Sequence, residues 1–133
     1  MPHICDLKDE SIEELVAGYE NAILINVKDE PIDVIRRIAE CKTVISSSLH
    51  GLIVADSFNI PNMHLVFSDR PLGDGYKFDD YYSAYGVEHY VHDLREKSAP
   101  SPEEVRARYL ITPEAVAEKK RLMRESFPLP KIN

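Results

Sequence analysis

Val44-Ile45-Ser46-Ser47-Ser48-Leu49-His50-Gly51-Leu52-Ile53-Val54-Ala55-Asp56-Ser57-Phe58-Asn59-Ile60-Pro61 reads as a strand, a serine turn and a helix in one run. Thr43, Val44 and Ile45 are the β-branched kind of residue found in a strand buried on both faces. From Leu49 to Phe58 apolar residues fall nearly all round, the pattern of a buried helix. Asn59 tolerates a left-handed cap and Pro61 cannot continue a helix, so the helix stops there. A turn of this kind gathers the unpaired N–H groups of a helix start above it, and the macrodipole adds to their pull on an anion. Ser46, Ser47, Ser48, Leu49 and Gly51 are therefore candidate binding positions, with His50 beside them in the first turn. A cation is disfavoured at that pole, so a histidine there suits a ligand that is itself negative. The same residues have a structural reading. Ser48 can be only a cap, Ser46 and Ser47 can finish the strand, and Gly51 can serve helix packing.

Outward from this stretch, strands and helices alternate. Before it, residues 22–27 (Ala-Ile-Leu-Ile-Asn-Val) predict a buried strand, and Pro31 opens a helix with Ile32, Ile35, Ile38 and Ala39 on one face. Earlier still, residues 11–19 predict a helix capped by Ser11 with Glu14 three positions on, and residues 2–7 fit a short strand or a frayed end. After it, residues 63–67 predict another strand, residues 78–86 a short helix ended by Gly86, and residues 88–91 a last strand. Strand, helix, strand, helix, strand with short connections is a right-handed parallel α/β unit. Pro102 and Thr112 then start two more helices, the second running to about Ser126. The division expected is one α/β domain over residues 1–133, with its core at about 22–92 and C-terminal helices at about 102–126.

In such sheets ligands bind beyond the carboxyl ends of the strands. The serine turn lies there, and so does the loop Ser68-Asp69-Arg70-Pro71-Leu72-Gly73-Asp74-Gly75-Tyr76-Lys77. Its two cations, Arg70 and Lys77, are candidates to meet the same anion. The plainer alternative pairs them with Asp69 and Asp74 in a solvated loop. The tyrosines of residues 78–86 can pack on the sheet as readily as line a sugar site.

Composition excludes several classes. The chain has 133 residues, 44% hydrophobic and 29% charged, and a net charge of −7. That acidity argues against nucleic acid and against anionic membrane surfaces, both of which call for a basic face. The basic cluster Lys119, Lys120, Arg121 and Arg124 suits the negative end of its own helix. No apolar run is long enough to span a bilayer, and the start of the chain lacks a signal-peptide pattern. A cytoplasmic location is expected. Cys5 and Cys41 stand far apart with no metal-ligand spacing, which predicts two free thiols. His89 and His92 are not spaced to share one side of a strand, so no metal site is expected.

Residues 45–62, from Ile45-Ser46-Ser47-Ser48-Leu49-His50-Gly51 through Pro61-Asn62, resemble the signature of the polysaccharide pyruvyl transferase family. Gly75-Tyr76-Lys77-Phe78-Asp79-Asp80-Tyr81-Tyr82-Ser83 resembles a second block seen in its exopolysaccharide branch. The resemblance covers roughly residues 23–91. It implies a Rossmann-like sheet similar to the C-terminal half of a GT-B-like fold. It also implies transfer of a pyruvyl group from phosphoenolpyruvate onto a saccharide acceptor as a ketal, with no cofactor. On that reading the serine turn, Arg70 and Lys77 hold the donor's anionic groups, and His50 is the catalytic acid or base, since an imidazole titrates near neutrality. The chain departs from the family at Ser48, where many members carry Arg. It is also shorter than the family enzymes, whose N-terminal domain forms the other wall of the cleft. A homo-oligomer or a missing N-terminal domain is expected to supply that wall.

Two other readings use the same residues. A nucleotide-sugar-binding half of a GT-B glycosyltransferase would place Glu30 or Asp33 on a ribose. A non-catalytic interaction module would bind no ligand and expose a former domain interface as an apolar patch.

Overall fold

The computed structural model describes residues 1–70 and 75–128. Three short parallel strands, β1 (Val44–Ser46), β2 (Asn62–Val66) and β3 (Val91–Asp93), form a sheet in the order β1-β2-β3. Ser46 stands in register with His64, and His64 with Val91. Around the sheet lie α1 (Ser11–Ala17), α2 (Pro31–Ala39), α3 (Leu49–Ser57), α4 (Tyr76–Ser83), α5 (Pro102–Arg108) and α6 (Pro113–Ser126). This is the expected α/β, Rossmann-like arrangement.

β1 and β2 are covered on both faces, and the two sides differ. Val44 points into a core with Ile25, Ile38, Ala55 and Ile60, beneath α2 and α3. Ile45, one residue on, packs with Met63, Leu65 and Val105 on the other side, beneath α1 and α5. That alternation is the period-two geometry of a strand. It also puts Asn62 and His64 on the α3 side, where both are buried polar residues.

Most helix ends follow local chemistry. Pro31, Pro102 and Pro113 each take a first-turn position. Ser101 Oγ accepts from Glu104 N–H and Thr112 Oγ1 from Ala115 N–H. Asn59 takes the left-handed conformation at φ 58° after α3, and Gly86 does so at φ 67° after α4.

Five expectations need correction. Residues 22–27 do not join the sheet. Ile25 is buried, but Ile23 and Leu24 are 52% and 43% exposed, and Leu24's carbonyl accepts from Arg37 Nη2 at 2.8 Å instead of from a neighbouring strand. An apolar cleft of about 840 Å³, lined among others by Leu15, Ile23, Ile45, Leu65 and Phe67, opens where that strand would pack. On α2 only Ile38 is fully buried, while Ile32 and Ile35 face outward. The last strand begins three residues later than predicted, at Val91. Residues 2–7 hold turns rather than a strand, with Asp6 N–H on His3 O and Asp9 N–H on Asp6 O. Finally, Ser11 does not cap α1: it is the first helical residue, and Asp9 Oδ1 accepts both its N–H and its hydroxyl.

Candidate functional site

The serine turn forms as the sequence predicts, and the N-terminal segment lies across it. Ser46 Oγ accepts Ser48 N–H at 3.0 Å and turns its own proton toward the carbonyls of Met1, 2.6 Å away, and Ser48, 2.9 Å away. Ser47 Oγ donates to Asp6 at 2.6 Å and accepts His3 N–H at 2.8 Å. Both hydroxyls are thus engaged within the protein. Ser48 sits at the cap position with extended backbone, but its side chain makes no capping bond. Its carbonyl takes Gly51 N–H and Leu52 N–H. The N–H groups of Leu49 and His50 have no acceptor among the described residues, as expected for the first turn of an uncapped helix. Leu49 is half-buried, and the His50 side chain is exposed with no hydrogen-bond partner among those residues.

Gly51 is required by close approach. A Cβ there would lie 2.6 Å from Ser46 Oγ and 3.3 Å from Met1 Cε. Since Ser46 is nearly fully buried and hydrogen-bonded on three sides, it has little room to move. Gly51→Ala is expected to destabilise the fold by about 1–3 kcal/mol, the usual cost of overpacking, read as a lower urea midpoint at an unchanged slope.

The two predicted cations take separate places. Arg70 Nη2 donates to Asp9 Oδ2 at 2.8 Å. The Ser11 hydroxyl, then its backbone N–H, then Arg70 hold the Asp9 carboxyl below its ordinary range. Lys77, in the first turn of α4, lies with Nζ 5.4 Å from the centre of the Phe78 ring. Asp69 pairs with Arg95 rather than with either cation. Residues 71–74 of this loop, including Asp74, lie outside the described residues.

Asp6 and Asp9 carry roles that sequence reasoning missed. The fully buried Asp6 accepts from Ser47 Oγ after β1 and from Ser68 Oγ after β2, at 2.6 and 2.9 Å, so it ties together the loops at both strand ends. Nothing in local spacing links residue 6 to residues 47 and 68. The tyrosines pack: Tyr81 and Tyr109 donate to buried Asp56, at 2.7 and 2.8 Å. Arg121 pairs with Glu118 and Glu125 and Lys120 donates to Ser57's carbonyl, so the basic cluster is largely engaged. Cys5 and Cys41 are free. No helix among the described residues is long and apolar enough to cross a membrane.

A sequence model of the polysaccharide pyruvyl transferase family, described as "Polysaccharide pyruvyl transferase", matches residues 1–69, which include β1, the whole serine turn, α3 and β2. The chain belongs to the polysaccharide pyruvyl transferase family. A pyruvyl transferase family chain of this length is short beside its relative: it is similar to the uncharacterised protein L143 of Acanthamoeba polyphaga mimivirus, 34% identical over 91 residues. Those residues are 66% of this chain and 31% of the viral protein. No solved structure matches.

Proposed function

We propose that this chain is the donor-binding part of a pyruvyltransferase, similar to the C-terminal half of a GT-B-like fold, that takes phosphoenolpyruvate and forms a ketal on a saccharide. The observation that carries this reading is the start of α3, where the N–H groups of Leu49 and His50 have no acceptor among the described residues and the His50 imidazole is exposed beside them. A dianion placed there meets oriented donors and the positive pole of the helix. The contribution of Ser46, Ser47, Ser48 and Gly51 is shape: they bring β1 and α3 close enough that the backbone forms the floor. Arg70 from the loop after β2, once it leaves Asp9, and Lys77 from the first turn of α4 add positive charge.

In the reaction, the enolpyruvyl methylene gains a proton and the adjoining carbon becomes cationic. One sugar hydroxyl bonds to that carbon and gives up its proton. The second hydroxyl then bonds to the same carbon as the C–O bond to phosphate breaks, and its proton leaves with the phosphate. His50 supplies a proton to the methylene or removes one from a hydroxyl. Excluding water from such a cation needs a second wall, for which an N-terminal domain or another copy of the chain is the source.

Glu30 and Asp33 stand at the start of α2, with Asp33 paired to Arg36 at 3.4 Å. Calorimetric titration of the protein with phosphoenolpyruvate, inorganic phosphate and uridine diphosphate separates the readings. Binding of phosphoenolpyruvate, weakened by phosphate as a competitor, is expected. Binding of uridine diphosphate alone would replace this reading with the nucleotide-sugar one.

A further inference from the structure

His64 on β2 heads a chain of hydrogen bonds that the serine turn does not use. Its Nδ1 lies 2.8 Å from His89 Nε2, and His89 Nδ1 lies 2.7 Å from Asp79 Oδ1. The two imidazoles are within 11° of coplanar. Phe78 stacks on His64 with centroids 3.8 Å apart, and Tyr82 stacks on His89 at 5.0 Å. Each imidazole thus has an aromatic ring stacked on it, nearly parallel to its plane. His64 is 6% exposed, whereas the Asp79 side chain is 64% exposed, so the chain runs from the surface inward.

The protons on this chain follow from the donor inventory. An ionised Asp79 only accepts, so His89 Nδ1 carries a proton. A neutral His89 then has a lone pair at Nε2, and the facing nitrogen, His64 Nδ1, must be the donor. His64 Nε2 is left as an acceptor, the reverse of the arrangement free histidine prefers. His64 also lines a cavity of about 30 Å³ with Asn62, Tyr82, Tyr90, Arg108 and Tyr109, large enough for one water-sized polar molecule. Asn62 Oδ1, on the same cavity's lining, is buried with no partner among the described residues.

We propose that His64, His89 and Asp79 form a proton relay from this cavity outward to the surface, in which uptake of one proton converts His64 Nε2 from an acceptor into a donor. The proton bonds to His64 Nε2 from the cavity side. The N–H bond at His64 Nδ1 breaks and its proton passes to His89 Nε2. His64 ends neutral in its other tautomer, and the charge rests on His89 against Asp79. Burial first, then the charge on His89, then Lys77 hold His64 down to about 3, so the buried ring does not keep the charge itself. The groups that face the pair are Lys77, Asp79 and Tyr82 from α4, Glu88 and Tyr90 beside β3, and Arg108 and Tyr109 at and after α5. The cavity thus presents opposite hydrogen-bonding polarity in the two states, one strand away from Ser46, with which His64 pairs in register.

Long-range ¹⁵N–¹H correlation spectra of the histidine rings in the intact protein, recorded across a pH titration, test this. Above the His89 midpoint, His64 is expected to carry its proton on Nδ1. Below it, His64 carries the proton on Nε2, and the change shares one midpoint with His89. His92, whose Nε2 lies 2.8 Å from the Ser98 carbonyl, is the reference ring that keeps its proton on Nε2 throughout. Asp79→Asn, at an exposed position, should move the shared midpoint to lower pH, since an opposite charge that favoured the cation is gone. A His64 protonated on Nε2 at high pH, or one unchanged through the His89 midpoint, would overturn the relay.

Discussion

If the chain acts as the proposed pyruvyltransferase, His50→Ala is expected to lower pyruvyl transfer by on the order of 10²–10⁴-fold, the usual contribution of a positioned acid or base, while leaving the fold intact. The side chain is exposed and makes no hydrogen bond among the described residues, so no packing is lost with it. Alanine also suits a helix at least as well as histidine. The thermal midpoint and far-ultraviolet dichroism should therefore match the parent protein. Phosphate release from phosphoenolpyruvate in the presence of a saccharide acceptor is the activity to follow. Donor affinity should change much less than turnover, because the N–H groups of Leu49 and His50 belong to the backbone and survive the substitution. Near-normal turnover in this variant would remove His50 from the chemistry. Lost turnover together with a lowered melting temperature would show instead that the ring supports the fold.

Asp56→Ala should be the most damaging single change to stability. Asp56 is 1% exposed on α3, and its carboxylate accepts from Asn62 Nδ2 at 2.6 Å, Tyr81 Oη at 2.7 Å and Tyr109 Oη at 2.8 Å. It therefore binds together α3, the start of β2, α4 and the segment after α5. Truncation strands the half-buried hydroxyls of Tyr81 and Tyr109 and one N–H of Asn62, whose Nδ2 keeps the Ile60 carbonyl at 3.0 Å, each stranded donor costing about 1–3 kcal/mol. A net loss of about 3–5 kcal/mol is expected, after the chain relaxes around the gap. Against a typical domain stability of about 5–15 kcal/mol, that brings the protein close to unfolding at physiological temperature. Urea titration of the variant measures it, and a loss under about 1 kcal/mol would mean that the network is not what joins these elements.

Asp56 also has a pH signature. Burial raises its carboxyl above the ordinary range, and the hydrogen bonds from Tyr81, Asn62 and Tyr109 oppose that shift only in part. A raised folded-state value means that the folded protein holds the proton more tightly than the unfolded chain. Its contribution is then fullest below the unfolded value of 3.8 and declines as pH rises through the folded one. Asp56→Asn stands in for the protonated form and lacks this dependence. The stability of the parent relative to Asp56→Asn should accordingly fall as pH rises above the ordinary aspartate range.

Much of the architecture is legible from short-range pattern. Thr43-Val44-Ile45 reads as a buried strand, the apolar run from Leu49 as a buried helix, and Asn59 with Pro61 as its end, because each rests on residues within one or two turns of one another. Proline at the first turn of α2, α5 and α6 is a local signal of the same kind. Residues 22–27 show where such signals fail. Their sequence suits a strand as well as that of β1, but a strand exists only where a neighbour offers a ladder, and Arg37 and the adjoining cleft leave this one without it. Ile32 and Ile35 fail likewise. Helical spacing puts them on one face with Ile38, and only the placement of α3 decides how far along α2 that face is covered.

For the candidate site, residue order determined the chemistry offered: a helix start after three serines, an imidazole in its first turn and a glycine where β1 and α3 converge. The tertiary structure decided how that chemistry is distributed. It engaged the hydroxyls of Ser46 and Ser47 with Met1, His3 and Asp6, left the amides of Leu49 and His50 without an acceptor among the described residues, seated Arg70 on Asp9, and brought His64, His89 and Asp79 into one line. The reason is range. Capping, helix periodicity and turn geometry act between residues a few positions apart and are written in their order. Hydrogen bonds such as Asp6 to Ser68 or His64 to His89 join residues 62 and 25 positions apart, and those distances are set only once the sheet has assembled.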